Sequence, residues 1–119
     1  MMDDDRPIFL QVAEQLEEQI IGGAMPEESQ VPSINELAAF HRINPATALR
    51  GINRLVDAGV LYKKRGIGMF VAAGARDVLI AQRRLNFQVD YVRPLLAEAA
   101  RLGLSTDDLV DLIRKEARP

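Results

Sequence analysis

The sequence predicts a mainly helical protein with one small β-hairpin, and three stretches carry that prediction. In "HRINPATALRGINRL", residues 41–55, Asn44-Pro45 stands between two helix-like runs. Proline lacks the N–H that a helix interior needs, yet Asn and Pro are favoured as N-cap and first helical residue. The dipeptide therefore starts a second helix after a short turn, giving a helix-turn-helix. In "VLYKKRGIGMFVA", residues 60–72, two strand-like runs flank "KKRGIG", whose glycines permit a tight hairpin. From residue 76 to 117 apolar residues recur at three- and four-residue steps, the pattern of packed helices.

The elements follow in order. After a tail over residues 1–6, expected to fray, Pro7 suits the first turn of a helix. Phe9, Val12, Ala13, Leu16 and Ile20 form its buried stripe, and Gly22-Gly23 ends it. "AMPEES" reads as a loop, and Gln30-Val31 as a small strand. Ser33 and Glu36 have the S-x-x-E spacing of a capping box, in which each side chain satisfies the other's free backbone N–H. The helix they open must end near His41–Ile43, because Pro45 disfavours helical geometry at Asn44. The next helix runs to about Ala58, with Gly59 as its left-handed terminator. Helix, helix-turn-helix and basic-tipped hairpin, in that order, make a winged helix-turn-helix domain over residues 7–73.

Residues 74–119 read as a C-terminal helical dimerisation appendage, joined at "GAR". Leu85, Val89, Val92, Leu96 and Ala99 alternate steps of four and three, the seam of a coiled-coil-like contact. Phe87 and Tyr91 begin a second stripe, with Leu109, Leu112 and Ile113 of the last helix adding to the expected dimer interface. Pro94 should kink or divide the long run. Gly103 closes it, and Ser105 with Asp108 opens the final helix.

Composition narrows the function. No cysteine is present, which removes disulfides and thiolate chemistry, and the single histidine makes a histidine metal cluster unsupported. No Ser/His/Asp set or phosphate loop occurs, so the expectation is no enzyme, no cofactor and no metal. "MMDDDR" is not a secretory signal and no apolar run reaches about 18 residues, so a cytoplasmic protein is expected. The net charge of −2 conceals a pattern: residues 1–40 carry −8, residues 41–66 carry +5 and residues 67–119 carry +1. A positive block inside an acidic chain is a local footprint for a polyanion.

The second helix of the motif sorts by face. Ala48, Ile52, Leu55 and Val56 supply a core stripe, while Thr47, Arg50 and Arg54 share another side with Ala46 nearby. With its first turns in a major groove, Ala46 and Thr47 would approach the bases, and Arg50 could reach guanine O6 and N7 with both arms. Gly51 costs about 1 kcal/mol inside a helix, best explained by close packing against the preceding helix. Lys64 and Arg65, with Gly66 and Gly68, suit phosphate or minor-groove contact, whereas Lys63 alone reads as a guard on an exposed strand edge. His41 reads as a packing or capping residue, and Asp107, Asp108 and Asp111 as acids favoured at a helix start.

With those residues in place, the chain resembles the GntR family of bacterial transcription regulators. The resemblance covers residues 7–72 and rests on "PIFLQVAEQL", "VPSINELAA", "NPATALRGINRLVDAGVL" and "RGIGMFV". The Asn-Pro helix start and short helical tail resemble its YtrA-like branch, which has a two-helix dimerisation region. The resemblance implies a homodimeric winged-helix binder of double-stranded DNA, usually a repressor, acting on a pseudo-palindromic operator. Carried over by position, DNA contacts fall on Ser33, Asn44, Ala46, Thr47, Arg50, Arg65, Gly66 and Gly68. Asn35, where the family commonly has arginine, Arg54 and Lys64 complete the candidate set. The turn "HRI" lacks the family's usual glycine, and Ala46 stands where the branch often has asparagine. The alternative is a winged-helix module that binds another protein through the helical tail. A small-molecule effector gains no support from the sequence.

Overall fold

The computed structural model describes residues 6–119, so the expected frayed tail lies, except for Arg6, outside the described residues. Helices α1 (Ile8–Ile21), α2 (Ile34–His41) and α3 (Pro45–Asp57) are followed by strands β1 (Leu61–Lys64) and β2 (Gly68–Val71). Helix α4 (Ala75–Phe87), a π-helical segment (Gln88–Val92), α5 (Arg93–Arg101) and α6 (Thr106–Glu116) complete the order. The predicted fold class is therefore the observed one: helices, a small hairpin, and a helical C-terminal region. The chain forms two compact units, the first ending at Ala81 and the second spanning Gln82–Pro119.

In the first unit α1, α2 and α3 share one core. Val12, Ala13, Leu16 and Ile20 of α1 pack with Leu37 and Ala38 of α2 and with Ala48, Ile52 and Leu55 of α3. Val60, Leu61 and Val71 seal it from the hairpin side, and Ala75 and Leu79 of α4 belong to the same cluster. Burial of each large aliphatic contributes roughly 1.5–3 kcal/mol. Val56, expected in the core stripe, is only half-buried at its margin, and Phe9, expected in the α1 stripe, is likewise half-buried.

Local chemistry sets the element ends. Pro7 is the N-cap of α1, one position earlier than its first turn. Ser33 Oγ accepts from the Glu36 N–H at 3.1 Å while Glu36 Oε1 accepts from the Ser33 N–H at 3.1 Å, completing the capping box. Asn44 Oδ1 accepts from the Ala46 N–H at 2.8 Å, with Pro45 beginning α3. Between α2 and α3, Arg42 takes the left-handed conformation, φ 56°, that ends α2. A non-glycine residue there costs on the order of 1–2 kcal/mol, so the missing turn glycine is replaced at some strain.

The hairpin pairs Leu61 with Val71, Tyr62 with Phe70, Lys63 with Met69 and Lys64 with Gly68. Gln30 forms an isolated bridge with Phe70 on the free edge of β2, so the small strand expected at Gln30-Val31 is reduced to a single bridging residue. The Val31 N–H donates to Met69 O at 2.9 Å and the Val71 N–H to Ser29 O at 3.0 Å, so the wing is anchored to the body through that segment.

In the second unit Pro94 neither stops the helix nor opens a loop. The backbone shifts to π-helical geometry over Gln88–Val92 and returns to α-helix with Pro94 in the first turn of α5. A proline has no N–H to donate and crowds the preceding turn; a wider turn just before it relieves both problems. Gly103, φ 74°, ends this stretch, and Ser105 and Asp108 form a second reciprocal capping box at 3.0 and 2.9 Å.

Candidate nucleic-acid interface

Helix α3 turns Ala48, Gly51, Ile52 and Leu55 toward the core. At about 100° per residue, the opposite face is centred on Ala46, Arg50, Asn53 and Asp57, all exposed. Thr47, half-buried, and Arg54, exposed, flank that face on the side nearer Gly51. Asn53 was not among the candidates, although its two-turn spacing from Ala46 places it on the same line.

The Arg50 guanidinium carbon sits 4.1 Å from the centroid of the Phe9 ring. Among the described residues nothing ion-pairs or hydrogen-bonds with that guanidinium. At the neighbouring Gly51 α1 and α3 approach closely: a Cβ there would lie 2.9 Å from Phe9 O and 3.2 Å from Val12 Cγ1. Close packing does explain this glycine, but the partner is α1 rather than the preceding helix α2. Residue 51 lies on the side of α3 that the α1 backbone covers.

A groove of about 710 Å³ runs between α3, the start of α2 and the wing. Ser33, Glu36, Leu49, Asn53, Lys63 and Ile67 are among its walls. Ser33 and Asn35 are exposed at the α2 start. Hydrogen bonds from the Ser33 backbone N–H and then its hydroxyl hold the Glu36 carboxyl below its ordinary value, so this wall remains anionic.

The wing separates its cations by strand alternation. Leu61 is buried against the body, so Lys63, two residues on, shares its side and lines the groove. Lys64 lies on the other side with Tyr62 and Phe70, its ammonium 4.2 Å from the Phe70 ring centroid. Lys63, read from sequence as an edge guard, is therefore the lysine beside α3; counting by two from Leu61 would have shown it. Arg65 and Gly66 are exposed at the tip, where Ile67 is 65% exposed. Gly68, φ 146°, is needed by the wing itself, because residues with a side chain rarely adopt that backbone conformation, and a Cβ there would also crowd the Gln30 amide, whose Nε2 would lie 2.7 Å away. That same amide donates to Ile67 O at 3.1 Å and ties the tip to the body.

His41 packs edge-to-face on Phe40 at 4.9 Å, and burial pushes its pKa down. Among the described residues no acid, histidine or cysteine group of metal-binding size occurs, and no helix is long and apolar enough to cross a membrane. In the second unit Leu85, Phe87, Val89, Tyr91, Leu96, Leu112 and Ile113 are exposed and Val92 is half-buried. Ala99 and Leu109, expected at the same interface, are already buried within the chain and offer little surface to a partner.

Residues 9–71 match the family model described as bacterial regulatory proteins, gntR family. The chain belongs to that family. Its winged helix-turn-helix is accordingly a DNA-binding, transcription-regulating domain. Among its relatives, the HTH-type transcriptional repressor YtrA of Bacillus subtilis is 25% identical over 92% of this chain and 83% of its own length. The crystal structure of a GntR-family transcriptional regulator from Bacteroides thetaiotaomicron is 31% identical, with a TM-score of 0.74 over 91% of this chain and 94% of that one. The AraR DNA-binding domain, solved in complex with operator ORX1, is 30% identical with a TM-score of 0.55 over 60% of this chain and 87% of that one.

Proposed function

We propose that the protein is a homodimeric repressor of the YtrA-like branch that binds a pseudo-palindromic operator with the outward face of α3 and the wing. One observation carries the reading. Arg50 stands exposed on the outer face of α3 without a hydrogen-bond or ion-pair partner among the described residues, about one turn from Asn53 in the wall of a groove that the wing also lines. A guanidinium so placed can donate two parallel hydrogen bonds to guanine, while Ala46 and Thr47 at the helix start leave room for bases. Ser33, Asn35, Asn44, Arg54, Lys63, Lys64, Arg65 and the Gly66 backbone then serve as positioning contacts to phosphates. Gly68 acts through wing shape.

The second unit supports pairing of two chains. A region whose described residues include only Ala99 and Leu109 as buried apolar side chains leaves most of its hydrophobic surface facing water. Such surface is normally covered by a partner. A two-fold dimer would place its two recognition helices on half-sites about one helical turn, roughly 34 Å, apart. The named function of the Bacillus subtilis relative favours repression.

Selection of bound fragments from randomised duplex DNA by the full chain tests the reading. Enrichment of inverted repeats is expected, with one dimer per fragment by sizing. Recovery of fragments without a shared sequence would overturn it.

A further inference from the structure

We propose that Phe9 is a positioning residue for sequence recognition: its ring holds the Arg50 guanidinium stacked and pre-ordered for a base. The inference rests on the reading of Arg50 as the base-contacting arginine. Arg50 is an exposed side chain on a long flexible stem, and settling such a chain on one base costs rotamer entropy. Here part of that ordering is made beforehand, because the guanidinium carbon lies 4.1 Å from the Phe9 centroid.

Stacking and base recognition do not compete. The ring lies against the guanidinium carbon, and among the described residues none of the guanidinium's N–H donors is spent on a hydrogen bond or an ion pair. The platform is itself fixed. Phe9 is half-buried in the first turn of α1, where the Gln11 N–H reaches back to Pro7 O at 3.3 Å. The absence of a Cβ at Gly51 lets the Phe9 carbonyl approach the very residue that follows Arg50. The α1–α3 crossing that demands Gly51 thus also sets the ring under Arg50. Space-filling alone would require an apolar side chain at residue 9, but not an aromatic one.

The test uses the full chain and a duplex recovered from the randomised pool, together with variants of that duplex changed one base pair at a time. Phe9→Leu and Phe9→Met fill the space without a ring, and Phe9→Tyr keeps the ring. Discrimination at the base pair that depends on Arg50 should fall about two- to fivefold in Phe9→Leu or Phe9→Met, the size of an exposed cation–π contact. Phe9→Tyr should restore it, and affinity for an unrelated duplex should be unchanged in all three. In an Arg50→Ala background the Phe9 variants should lose nothing further. Equal losses in both backgrounds would make Phe9 merely structural. Unchanged or sharper discrimination in Phe9→Leu and Phe9→Met, with Arg50→Ala losing it, would overturn the positioning role alone. Arg50→Ala discriminating as the parent does would instead remove the base-reading assignment.

Discussion

Replacing Gly51 with alanine sets two calculable effects against each other. Alanine is favoured over glycine inside a helix by about 1 kcal/mol. The new Cβ, however, would stand 2.9 Å from a backbone oxygen, Phe9 O, and 3.2–3.3 Å from Val12 Cγ1 and Cβ. Val12 is fully buried and cannot swing away, so α1 and α3 must separate. Overpacking of this kind typically costs 1–3 kcal/mol. The net expectation is a loss of about 1 kcal/mol, read as a lower urea midpoint by far-UV circular dichroism with an unchanged slope. Asn53→Ala is the control: the same helix, an exposed site, and no packing neighbour to displace. It should be neutral or slightly stabilising. A Gly51→Ala protein more stable than the parent by the full propensity gain would refute the close-approach account.

Neutralising Lys64 and Arg65 together as glutamines should lower the slope of log affinity against log salt by up to about 2, because each phosphate contact contributes about 0.9; salt titration of duplex binding reads this. The Glu36 and Asp108 carboxyls are held below their ordinary values of 4.5 and 3.8 by hydrogen bonds from the backbone N–H and then the hydroxyl of Ser33 and Ser105. Their contribution is therefore complete above those values and lost as pH falls through the lower folded-state ones. Unfolding curves across the acid range should flatten in Glu36→Gln and Asp108→Asn. Leu85 is 80% exposed in the single chain, so Leu85→Asp should leave helix content intact. It should lower the mass measured by sedimentation if that surface pairs two chains, and an unchanged mass would place the pairing surface elsewhere.

What the sequence made legible was local. Ser33 with Glu36, Asn44 with Pro45, and Ser105 with Asp108 act within three residues of one another, so spacing alone reveals the helix starts. The hairpin was legible because "KKRGIG" combines a turn with strand-like flanks. Contacts between distant segments were not. Phe9 reads as one more member of an apolar stripe, and only the α1–α3 crossing reveals its ring beneath Arg50. Gly68 reads as bare backbone for DNA until Gln30 is seen against it. The π-helical segment also escaped, since nothing before Pro94 signals which way a helix will accommodate a proline.

Amide chemical-shift mapping of the full chain, titrated with a duplex recovered from the randomised pool, would show directly which surface meets DNA. The largest changes should fall on residues 33–36, 44–54 and 63–68. Changes confined to the helices over residues 82–116, with α3 and the wing unmoved, would contradict the assignment of the interface.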